Sequence, residues 1–172
     1  MISGTPGTGK TEISVRLSKR LGFCLVKIND FAQAHGLVEG IDKKRGSLII
    51  DEKKLKAAVA KLSGDVIVEG HLAHFCKSDV VAVLRTNPTE LEKRLLSRGW
   101  NRKKILENVE AEILDIILQE AVNANKNVVE VDTTGKSADA VCGILADVIK
   151  SRNYSGHKLG TVSWASYFDK YF

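Results

Sequence analysis

Residues 4–11 read Gly-Thr-Pro-Gly-Thr-Gly-Lys-Thr, a full match to the pattern G-x-x-x-x-G-K-[ST]. Glycine at Gly4, Gly7 and Gly9 lets the backbone wrap a β-phosphate so closely that side chains would collide with it. In such a loop the backbone of Pro6, Gly7, Thr8 and Gly9 turns successive N–H groups inward. The positive end of the following helix completes the anion nest. Lys10 would bridge the β- and γ-phosphates, and Thr11 would offer its hydroxyl to Mg²⁺. The chemistry this implies is the handling of a nucleoside triphosphate.

Other groups could complete that chemistry. Glu69 ends an apolar run, followed at once by Gly70 and His71. A carboxylate there can hold a magnesium-bound water or orient a nucleophile, although it could equally be satisfied by backbone N–H groups at a strand end. His71 is then placed either to position water or substrate or to serve as an ordinary hydrogen-bonded loop residue. Arg94 and Arg98 are four apart in LEKRLLSRG, so on a helix they project from one face. Phosphoryl transfer concentrates negative charge that a guanidinium fork matches; the alternative is two solvated surface charges. The Gly99-Trp100-Asn101 break favours a short lid at about 98–104 that carries the pair over the phosphates. Asp30 follows Asn29 at the end of a strand and reads first as a helix N-cap, second as an acceptor contact. The look-alike TGKS at 134–137 has Glu130 where the first glycine belongs; its Ser137 reads as a cap, and the loop Asp132 to Gly135 is placed to back an adenine ring.

The elements that must position these groups alternate. Apolar runs at 23–28, 65–69, 80–84 and 127–131 are near-continuous and β-branched, as buried parallel strands are. Only Met1, Ile2 and Ser3 precede the loop, against the five or six residues usual for such a strand, so either the central strand is short or the start lies a few residues upstream. Ile13, Leu17 and Leu21 fall at helical spacing and Gly22 stops that helix; Asp51, Asn101 and Ser137 can cap others, and Pro88 suits a first turn. The helix opened by Asn101 is expected to run through Ile105, Val109, Ile113 and Ile117. Together these predict a three-layer α/β/α sandwich on a five-stranded parallel sheet with right-handed crossovers, its ligand site beyond the carboxyl ends of the strands. A kinase-like domain over 1–153 is expected to include an acceptor-binding flap at about 30–62, with no clear strand in 31–50. The aromatic tail 154–172 is expected to pack on the domain or on a partner.

At 172 residues and 44% hydrophobic content the chain fits one soluble domain. No stretch approaches 18 apolar residues and no signal peptide is recognisable, so a cytoplasmic protein without membrane partners is expected, nuclear if the source is eukaryotic. Cys24, Cys76 and Cys142 are widely spaced and suggest buried thiols in a reducing compartment. A net charge of +5 is compatible with a solvated basic surface or with a polyanionic partner such as ribosomal RNA.

Taken in order, GTPGTGKT, NDFA, VIVEGH, VLRT and RLLSRGWNRKKILENVEAEI resemble the atypical nuclear adenylate kinases and their archaeal relatives. That family is also described as coilin-interacting nuclear ATPases and small-subunit ribosome assembly factors. The resemblance implies the nucleoside monophosphate kinase fold, ATP·Mg²⁺ as donor, AMP as acceptor, an ATPase side activity and a small-subunit ribosomal protein as partner. Position by position it makes Lys10 and Thr11 the phosphate and magnesium residues, Arg98 the lid arginine, and His71 the histidine of an acidic-x-His motif. Glu69 stands where the nuclear members have aspartate. Gln33 stands where adenylate kinases carry an arginine for the acceptor phosphate, and a neutral amide cannot make that charge-assisted grip. Arg45 and Arg85 are the residues expected to substitute.

Overall fold

In the computed structural model, which describes residues 1–43, 46–154 and 159–172, the alternating pattern resolves into strands β1 (Ile2–Gly4), β2 (Cys24–Lys27), β5 (Val66–Glu69), β6 (Val81–Arg85) and β7 (Val128–Asp132). They form one parallel sheet in the order β2-β5-β1-β6-β7. The three-residue β1 is the centre of that sheet, with Ile2 paired to Glu69 on one side and to Ala82 on the other. A parallel sheet buried on both faces must be apolar on both, and the period-two alternation shows how. Ala82 and Leu84 join the core beneath α1 (Lys10–Leu21) and α7 (Ala138–Ser151), whereas Val81 and Val83 join the one beneath α6 (Ile116–Ala124).

Local chemistry starts and stops the helices largely where expected. Asp51 accepts from Lys54 N at 3.0 Å and opens α3 (Glu52–Val59). Asn101 accepts from Lys104 N at 2.9 Å and opens α5 (Arg102–Ile113), and Ser137 accepts from Ala140 N at 3.2 Å ahead of α7. Pro88 begins α4 (Pro88–Ser97), capped by Asn87, and Gly22 closes α1 in the left-handed region at φ 72°.

Some expectations are corrected. The helix from Asn101 is broken: Leu114 caps α5, and Asp115 turns left-handed at φ 56° before α6 starts. Asp30 is no N-cap, because α2 (Ile28–Ala34) begins two residues earlier with Ile28 fully buried, leaving Asp30 exposed in the first turn. The segment 31–50 does hold strands, an antiparallel hairpin of β3 (Val38–Asp42) and β4 (Ser47–Ile50) whose Ile41 and Ile49 point into solvent. Cys76 and Cys142 are buried, but Cys24 is exposed.

The described part of the tail packs on the domain. Trp164, Tyr167 and Tyr171 sit against Leu91, Leu95, Ile105, Val109 and Ile113 of α4 and α5, and the chain ends in α8 (Phe168–Tyr171). Among the described residues no helix is long and apolar enough to cross a membrane.

Candidate active site

The loop after β1 sits where the sheet and α4 crowd it. A Cβ on Gly4 would stand 2.4 Å from Leu84 O, and one on Gly7 would stand 2.6 Å from Leu91 Cδ1. Both glycines also have positive φ, at 138° and 100°. The protein side of the loop therefore demands glycine as strongly as a phosphate would. Leu91 and Leu95, both fully buried, form the floor beneath Gly7. Thr8 Oγ1 donates to Thr5 O at 2.9 Å and tightens the turn.

Lys10 folds back over this loop, its Nζ donating to Gly4 O at 2.8 Å and Thr5 O at 3.1 Å. Burial lowers its pKa to about 8; the nearby carboxylates of Glu69 and Glu112 oppose the shift, and the Arg98 guanidinium adds to it. Among the described residues this desolvated ammonium donates to two backbone carbonyls. Beside it Thr11 Oγ1 donates to Glu69 Oε1 at 3.3 Å, with Thr11 exposed and Glu69 buried. These are hard oxygen donors at a helix N-terminus, the kind Mg²⁺ takes while keeping most of its water and phosphate ligands. Among the described residues no group of three or more His, Cys, Asp or Glu forms an all-protein metal cage.

Arg94 reaches the loop from α4, its Nη1 donating to Gly7 O at 3.3 Å while Nη2 pairs with Glu90. Arg98 caps the same helix, exposed and unshielded, yet close enough to Lys10 to depress its pKa. Gly99 follows at φ 72° with open space around it, so the chain breaks sharply where a short lid was expected. His71 is partly buried and its pKa is lowered, by burial first and then by Lys10 and His74. It is thus a neutral imidazole beside the loop lysine, able to donate or accept one hydrogen bond.

The acceptor-side expectations fare unevenly. Gln33 and Asp30 are both exposed and one turn apart on α2, so they share a face. Arg45 lies outside the described residues. Arg85 is withdrawn from any acceptor role: at 1% exposure it is sealed in the core, with Nε donating to Glu112 Oε1 at 2.8 Å, Nη1 to Glu130 Oε1 at 2.6 Å, and Nη2 to Asp115. A guanidinium so desolvated stays only because its carboxylates stay with it.

Sequence reasoning overlooked the buried carboxylate that links these parts. Glu112 accepts Thr5 Oγ1 at 2.5 Å on Oε2, and Arg85 Nε, Thr86 N at 3.1 Å and Trp164 Nε1 at 3.3 Å on Oε1. The available signal was an acidic residue beside Ile113 on the apolar stripe of α5, where only a partnered charge can be tolerated. Ser3 Oγ and His74 Nδ1 share a hydrogen bond at 2.8 Å, and His74 Nε2 faces Glu120 Oε2 at 3.1 Å, which makes a second polar link beside the loop.

A phosphate-cradling loop on the central strand of a five-stranded parallel sheet, with a lysine, a hydroxyl–carboxylate pair and arginines converging on it, defines a P-loop nucleotide kinase. Solved structures agree on the fold. Shikimate kinase from Acinetobacter baumannii in complex with shikimate aligns with TM-score 0.62 at 15% identity, over 88% of this chain and 92% of that one. Thymidylate kinase from Candida albicans aligns with TM-score 0.54 at 15% identity, over 94% of each. Residues 1–115 match the family model described as AAA domain. Over 171 residues the chain is 42% identical to a Thermococcus kodakarensis protein named "Putative adenylate kinase", covering 98% of this chain and 94% of that protein. An Archaeoglobus fulgidus protein of the same name is 40% identical over 167 residues, 96% of this chain and 90% of that protein. The chain belongs to this adenylate-kinase-like family of P-loop proteins.

Proposed function

We propose that the protein is an adenylate kinase, moving the γ-phosphoryl group of ATP·Mg²⁺ to AMP, with ATP hydrolysis as a side activity. The observation that carries this reading is the convergence of Lys10 and Arg94 on one loop next to the Thr11–Glu69 pair, with Arg98 within electrostatic reach of Lys10. Catalysis of phosphoryl transfer is mostly positioning and charge neutralisation, and those groups supply both. Thr11 and Glu69 would hold Mg²⁺, which when bound neutralises phosphate charge. Lys10 leaves Gly4 O and Thr5 O for the β- and γ-phosphates, Arg98 closes with the lid onto the moving group, and neutral His71 orients water or the acceptor phosphate. The acceptor would lie against α2 and the hairpin, near Asp30 and Gln33.

A second reading has its own support. Gln33 is a neutral amide and Arg85 is buried, so the described residues that were expected to grip an acceptor phosphate carry no free charge for it. That favours an ATPase serving small ribosomal subunit maturation in the cytoplasm, with a small-subunit ribosomal protein as partner, indirect rRNA contact, and little true kinase activity. A kinase for another small acceptor is the remaining option. Product analysis with ATP·Mg²⁺, with and without AMP, decides between them. ADP formed at twice the ATP consumed, and only with AMP, supports the kinase; ADP with inorganic phosphate, indifferent to AMP, overturns it in favour of the ATPase.

A further inference from the structure

Thr5 stands at a junction within the loop. Its carbonyl holds Lys10 Nζ at 3.1 Å, and its hydroxyl, 1% exposed, donates to Glu112 Oε2 at 2.5 Å. Glu112 is itself 2% exposed, and its other oxygen gathers Arg85 Nε, Thr86 N and Trp164 Nε1. One carboxylate therefore ties the phosphate loop to the end of β6, to α5 and to the C-terminal segment. The tail grips the same cluster at a second point, where Gly160 N donates to Glu130 Oε2 at 3.0 Å while Glu130 Oε1 holds Arg85.

The geometry points to Glu112 as a positioning residue for the phosphate loop, through which Trp164 of the C-terminal segment sets the stance of Thr5 and Lys10. Glu112 is hydrogen-bonded to the loop through Thr5. A buried ionised acceptor with donors on both oxygens has a single low-energy arrangement, because rotating away strands donors without water. The loop thereby inherits the rigidity of the core. Trp164 supplies the donor that comes from the C-terminal segment, and its indole packs with Tyr167 against α4 and α5, so the tail reaches the loop through this one indole–carboxylate contact. The inference rests on the loop being the phosphate site, but not on the acceptor being AMP.

The test uses the full chain and follows ATP conversion to ADP, with AMP present and absent, together with binding of a non-hydrolysable ATP analogue and thermal melting. Thr5→Val keeps the shape and deletes the hydroxyl, whereas Thr5→Ser restores it. Expected for Thr5→Val is a fall in kcat of roughly tenfold with the KM for ATP moving by less than about threefold, since misplacement costs most in the transition state. Thr5→Ser should recover most of the rate. Trp164→Phe, which removes the indole donor while keeping an aromatic ring, should lower kcat by about threefold in the wild-type background and hardly at all on top of Thr5→Val, because both act through one carboxylate. Tyr171→Phe loosens the tail at Glu92 without touching Glu112 and should leave kcat near that of wild type. Loss of melting temperature with kcat unchanged in Thr5→Val, additive effects of Thr5→Val and Trp164→Phe, or an equal loss in Tyr171→Phe would each overturn the proposal. ATP hydrolysis unaffected by AMP would sink the adenylate kinase reading alone, because these ratios are read on ATP consumption.

Discussion

Lys10 carries an ammonium whose burial costs the folded state, so its removal should separate stability from activity. Its pKa falls from 10.5 to about 8 on folding. Between those values the unfolded chain holds the proton and the folded chain does not, so stability rises with pH through that window and the cost is fully present below it. Lys10→Met should abolish phosphoryl transfer yet melt no lower than wild type at neutral pH, with a gain of order 1–3 kcal/mol from the deleted charge. Turnover and calorimetric melting check both halves; a folded variant keeping substantial turnover ends the central assignment. Arg98 should behave differently, as it is exposed and touches no loop carbonyl. Arg98→Ala should lower kcat by about 10² while moving the KM for ATP little, because its charge is needed mainly in the transition state. Steady-state kinetics showing only a raised KM would make Arg98 a ground-state contact. That Lys10, Thr11 and Glu69 lie together was legible in the sequence because a loop motif and a strand end fix their positions locally. Glu112 was not, since its role depends on Thr5 and Arg85, at 107 and 27 residues' separation in the chain.

The elements were legible where local chemistry decides them. Alternating apolar runs gave the strands, and Asp51, Asn101 and Ser137 cap helices because a side-chain oxygen beside free N–H groups is a local matter. The break between α5 and α6 was hidden, because the apolar spacing continues through it. It occurs where the Asp115 carboxylate turns in to meet Arg85, a tertiary demand that overrides periodicity. The hairpin was missed for the opposite reason: exposed Ile41 and Ile49 blur the alternation a half-buried pair would show. In the proposed reading that hairpin and α2 form the acceptor side, where Gln33 is exposed and so free to be replaced without disturbing the core. Gln33→Arg should tighten AMP by about tenfold, as one charge-assisted contact would, and lower the share of ATP lost to hydrolysis. Titration of AMP into wild type and variant measures it; unchanged AMP affinity would mean that another cation already fills the place or that α2 does not face the acceptor.

At the scale of the whole molecule, the walls of the site also hold an acid-sensitive joint. His74 lies in the turn after β5, 1% exposed, bridging Ser3 of β1 to Glu120 of α6, with His71, Glu52 and Lys56 as the charged or titratable groups around it. Burial takes its pKa from 6.5 to about 4, against the smaller opposing pull of Glu52. Neutral His74 suits the site, because one ring nitrogen can donate and the other accept between Glu120 and Ser3, just ahead of the phosphate loop. In acid the unfolded chain takes a proton that folded His74 refuses, so the unfolded state binds more protons between about pH 4 and 6.5. Stability is therefore whole above the upper value and lost as pH falls toward the lower one, by about 3 kcal/mol at most. Denaturant melts at pH 7 and pH 4.5 should show that slope in wild type and a shallower one in His74→Gln, which can still bridge a hydroxyl and a carboxylate without titrating. Parallel slopes in the two proteins would move the acid sensitivity to other carboxylates and leave His74 a passive strut between β1 and α6.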